Sequence, residues 1–76
     1  MSQFDDMMVA KWNIIEPGAI QWEGTNITIR RLCINDSVFY EVKHYDQRVA
    51  ICMSINNAKY DACREAGYLL EMGIEL

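Results

Sequence analysis

The chain has 76 residues, of which 51% are apolar and 24% charged, with one proline and four glycines. That length excludes a second domain, because domains are usually roughly 100 to 150 residues, and the composition excludes low-complexity and disordered classes. The net charge of -4, with acids spread from Asp5 to Glu75, argues against tight nucleic-acid binding, which needs Lys and Arg to displace phosphate counterions.

Residues 1–76 read as a single small α+β domain, in which residues 1–20 are the least legible segment. Ser2, Gln3, Phe4 and Asp5 look like a helix-capping start, whereas Lys11 to Ile15 looks extended. The acidic N-terminus lacks the basic start of a signal peptide, and no apolar run approaches the roughly 18 residues of a membrane span. The expected location is therefore cytoplasmic. Pro17 and Gly18 form a turn, and Ala19 to Glu23 can pair with the next strand through Gly24, Thr25 and Asn26.

Three strands follow. The first, Ile27 to Ile34, alternates until Arg30 and Arg31, where Leu32 and Ile34 fall out of phase, and a bulge there would return them to the core. After the turn at Asn35, Asp36 and Ser37, Val38 to His44 places Val38, Tyr40 and Val42 on one face and Phe39, Glu41 and Lys43 on the other. The third strand, Arg48 to Met53, is read with Val49, Ile51 and Met53 inward and Arg48, Ala50 and Cys52 outward. From Ser54 the period becomes helical, with Ile55, Ala58, Ala62, Ala66 and Leu69 in one stripe. Ser54 is the expected cap, Met53 a staple onto Ala58, and Gly73 the C-terminal stop. Gly67 lies inside this helix, and Ile74 to Leu76 could add a short strand. The fold class is an antiparallel meander sheet of three to four strands on one C-terminal helix.

The search for chemistry yields no catalytic set. His44 is the only histidine, and Ser37 and Ser54 occupy a turn and a cap. Cys33, Cys52 and Cys63 contain no CxxC and lack the close-set pairs of a structural zinc site, so free, mostly buried thiols are expected and no metal or cofactor. The glycines form neither a dinucleotide fingerprint nor a P-loop. Asp61 and Glu65, one helical turn apart, read as a solvated face. The protein is accordingly read as a non-enzyme.

Two binding surfaces compete. Aromatic and Met residues exceed what one small core can hide, and these types are enriched where proteins meet. Asp5, Asp6, Trp12, Trp22, Glu23 and Tyr45 are the expected contacts with a larger protein, although the two tryptophans could equally cap the open end of the core. The alternative is a nucleic-acid regulator that uses Arg30, Arg31, Lys43 and Arg48 beside Phe39 and Tyr45. A core this thin also leaves room for a homodimer.

The run from Trp22 through the three strands into RVAICMSINNAKYDACREAGYLL resembles the βββα plan of small phage- and prophage-encoded accessory proteins. Anti-CRISPR and other host-defence inhibitors among them are similar in size and acidity. The resemblance implies an inhibitor that occupies a surface of a larger protein complex, such as a CRISPR effector or another defence protein, in the host cytoplasm. It covers about the last two-thirds of the chain, is one of pattern only, and transfers no functional residue.

Overall fold

A computed structural model describes residues 11–76. The elements run β1 (Trp12–Glu16), β2 (Ala19–Trp22), β3 (Ile27–Ile34), β4 (Ser37–His44), β5 (Gln47–Cys52) and α1 (Ile55–Glu71). The five strands form one antiparallel meander in chain order, so the sheet has one strand more than the expected maximum of four. The extra strand is β1, built on the segment that reads as extended from Lys11. Expectations that fall on residues 1–10, including Asp5 and Asp6 as contacts, lie outside the described residues.

Turn chemistry explains the connections. Asn35 and Asp36 both take positive φ, 50° and 66°, which short polar side chains tolerate and which suits the right-handed twist of a tight hairpin. Gly18 and Gly24 close the first two turns at φ 80° and 79°. Thr25 ties the second turn: its hydroxyl donates to the Trp22 carbonyl at 2.9 Å and accepts from Ile27 N–H at 3.1 Å.

No bulge occurs at Arg30 and Arg31. The β3–β4 pairing is unbroken from Ile27 opposite His44 to Ile34 opposite Ser37. Leu32 and Ile34 therefore share a face with Thr28 and Arg30, while Arg31 and Cys33 continue the face of Ile27 and Ile29. Bulges fall instead on the two outer strands, at Ile15 in β1 and Val49 in β5. The second one inverts an expectation. A two-residue connection sets His44 opposite Gln47 and Lys43 opposite Arg48, but Val42 then opposes Ala50 because Val49 is the extra residue. Every later side chain changes face. Ala50 and Cys52 point at the helix, Ile51 stands 45% exposed and Met53 76% exposed, so neither reaches the core and the expected staple onto Ala58 does not bury Met53.

The inversion is consistent with the helix. Ala58, Ala62 and Ala66 are fully buried, and a stripe of such small side chains lets the helix axis approach the sheet closely. The positions beneath it then favour Ala50 and Cys52 over Val49 and Ile51. Ile27, Ile29, Val42 and Cys63 complete the interior, with Trp22 at its end. Full burial of an Ile or Val side chain is worth about 1.5–3 kcal/mol.

Ser54 caps α1 as the sequence predicts, its hydroxyl accepting Asn57 N–H at 3.1 Å. At the other end Gly73, at φ 73°, donates to the Leu70 carbonyl, and Ile74 donates to that of Leu69, which is the paired arrangement that satisfies final-turn carbonyls. No terminal strand forms from Ile74 to Leu76. The tail is pinned instead by Asn26 N–H to the Leu76 carbonyl at 2.6 Å and by His44 Nε2 to the Glu75 carbonyl at 3.0 Å. Gly67 is not needed for close approach, since a Cβ placed there meets no atom within 4 Å. Gly67→Ala is therefore expected to stabilise the fold by about 0.5–1 kcal/mol through the unfolded chain's lost freedom, measured as a higher urea midpoint at unchanged slope.

Candidate docking surface

Both sides of the sheet present residues singled out by sequence. On the side away from the helix, Arg30 is opposite Glu41, and Glu41 is opposite Ile51. Glu41 is buried and accepts from Arg48 Nε at 2.6 Å, and Arg30 pairs with Glu16. Lys43, Phe39 and Leu32 share this face. Two of the four bases expected to bind phosphate thus already hold carboxylates. A third, Arg31, is on the opposite side of the sheet, so the expected basic-aromatic platform is divided.

The expected protein contacts are also scattered. Trp22 is 8% exposed and lies 5.8 Å, ring centre to ring centre, from the half-buried Trp12. Burial at this level makes Trp22 a core residue rather than a contact, in line with the core-capping alternative. Glu23 is exposed and faces Lys11 at 3.8 Å, a surface pair of small energetic consequence. Tyr45 is exposed in the β4–β5 turn at φ 56°, its ring edge-on to His44 at 4.7 Å.

The helix-side face holds a feature the sequence reading missed. α1 packs on β3, β4 and β5 and makes no close approach to β1 or β2. Beyond the start of the helix, Ile14, Ile20, Ile29, Tyr40 and Ile55 line an open groove of about 390 Å³, bounded by Arg31 and the Glu16–Pro17–Gly18 turn. Ile14 is 82% exposed. The signal was present in part: an extended Lys11 to Ile15 folded back by Pro17 and Gly18 brings Ile14 opposite Ile20. What no local pattern could reveal is that the helix stops short of these strands.

Two of the three cysteines, Cys33 and Cys52, stand apart from the histidine along the sheet. Cys33 pairs with Val38 at one end of the β3–β4 hairpin, and His44 pairs with Ile27 at the other. Cys52 donates to Asp61 Oδ2 at 3.0 Å. Burial, and after it this hydrogen bond and the Asp61 charge, push the Cys52 thiol up to about 11, while burial alone raises Cys63. Both thiols stay protonated at neutral pH, the opposite of an activated cysteine. Among the described residues no cluster of His, Cys, Asp and Glu is arranged to hold a metal ion, and no helix is long and apolar enough to cross a membrane.

No protein-family model matches the chain, and no curated protein and no solved structure shows significant similarity to it.

Proposed function

We propose that this chain is a non-enzymatic protein-binding module that docks on a larger protein through the uncovered part of its helix-side face. The observation that carries the reading is the groove on Ile14, Ile20, Tyr40 and Ile55, with Ile14 left out in solvent. Contiguous exposed apolar surface of this kind is the mark of an interaction site. The raised thiols and the His44 contact to the tail add support, because these groups are committed to structure rather than poised for chemistry.

The two outer strands are less suited to this role, because each carries a bulge, and bulges discourage pairing of a sheet edge with another chain. The specific form of the proposal is an inhibitor of the phage type, which blocks a host-defence complex by occupying its surface. A nucleic-acid regulator has weaker support, since Arg30 and Arg48 are paired and Arg31 faces the other way.

The test is capture of partners from a bacterial lysate, with nuclease, by the tagged native chain and by Ile14→Asp. Because Ile14 is so exposed, the variant should keep its circular dichroism and thermal transition. The expected result is a protein retained by the native chain despite nuclease and lost with the variant. Capture that vanishes with nuclease, or that the variant leaves intact, overturns the proposal.

A further inference from the structure

The same groove carries information about what enters it, and the following rests on the docking proposal above. The chain has four arginines. Arg30 holds Glu16, Arg48 holds Glu41 at 2.6 Å, and Arg64 faces Asp61 at 3.7 Å. Arg31, exposed at the rim of the groove, has no carboxylate partner among the described residues. A shortage of acids does not explain this, since 11 acids stand against 7 Lys and Arg.

Arg31 is also held in place. Its N–H donates to the Gly18 carbonyl at 2.7 Å, and its stem lies along the β1–β2 turn. There a Cβ on Gly18 would meet Arg31 Cβ at 3.9 Å and Nε at 4.0 Å. The acid that lines the groove, Glu16, is taken by Arg30. The groove is also lined by Ile55, the first residue of α1, a helix with no acidic residue in its first turn, so its own side chains do not offset the positive end of the helix dipole. The groove therefore combines an aliphatic floor with an unmatched positive rim.

We propose that the groove receives a short segment of the partner protein in which a carboxylate side chain neighbours an aliphatic one. The aliphatic group would lie on Ile14, Ile20 and Ile55, and the carboxylate on the Arg31 guanidinium, whose fork geometry suits a two-point contact.

The experiment is a nitrogen-15 NMR titration of the full chain with the capped peptide acetyl-Leu-Asp-Leu-Glu-Leu-amide and its Asn/Gln counterpart. The acidic peptide is expected to shift Ile14, Ile20, Arg31 and Ile55 at roughly millimolar concentration, and the amide peptide to bind about tenfold more weakly, the scale of one charge-assisted contact. Arg31→Gln should bring the acidic peptide down to the level of the amide one, and Arg31→Lys should keep part of the difference. The inference is overturned by an absence of shifts at these residues, by equal binding of both peptides, by an unchanged Arg31→Gln variant, or by sodium acetate alone reproducing the shifts. The titration needs no cellular partner. A failed lysate capture with a successful titration removes the docking proposal and keeps the groove's preference, and the reverse keeps docking and removes the acidic segment.

Discussion

Replacing Ile27 with alanine is expected to lower stability by roughly 2–5 kcal/mol, the range for deleting a buried branched side chain together with the cavity left behind. Ile27 is fully buried, packed in the cluster with Trp22, Val42 and the helix alanines, and β3 lies third in a five-strand sheet with neighbours on both sides. For a domain of this size each kcal/mol moves the midpoint by about 4–8 °C. A small protein's total of about 5–15 kcal/mol leaves little reserve, so the variant should be partly unfolded near body temperature. Ile51→Ala is the matched control: Ile51 points away from the helix and is half exposed, so its loss should stay within about 1 kcal/mol. Calorimetry or urea titration of the two variants measures the contrast. Equal losses would mean that β5 runs in the opposite phase, with no bulge at Val49.

Alkaline pH is the second large lever. In the unfolded chain the Cys52 thiol ionises near its ordinary value of 9.0, and in the fold burial pushes it up to about 11. Below pH 9 both states hold the proton, and the full stability is present. Above it the unfolded chain releases a proton that the folded chain keeps, so the unfolded state is favoured by about 1.4 kcal/mol per pH unit. The loss should reach roughly 2 kcal/mol by pH 11, and Cys63, also raised by burial, acts in the same direction. Urea midpoints measured from pH 8 to 11 should fall, and Cys52→Ala should flatten part of that slope relative to the native chain. An unchanged slope in the variant would show that Cys52 does not retain its proton in the fold.

The proposed site was legible only in fragments. Arg31 reads as one of a basic group with Arg30, Lys43 and Arg48, yet strict alternation along β3 sends it to the other side of the sheet. The phase slip at Arg30 and Arg31 is visible in the sequence and predicts a bulge that the unbroken β3–β4 ladder does not contain. It is instead the place where the covering of each face changes. Ile27 and Ile29 lie in the core under α1, while Arg31 stands beyond the start of the helix, beside the groove. One strand can carry two apolar phases when its two ends meet different surroundings.

By itself the sequence determined the α+β class, an antiparallel meander, the tight turns at Asn35 and Asp36, the Ser54 cap, the Gly73 stop and the alanine face of the helix. These depend on local propensities and on periods of 2 and 3.6, which neighbouring residues express without help from distant ones. Only the tertiary structure decided the fifth strand, the direction of Val49 and Ile51, the burial of Trp22 and the open groove beside Arg31. Each depends on which strand lies opposite, where one extra residue enters a ladder, and how far a helix extends over a sheet. Those are relations between distant segments, and no local pattern encodes them.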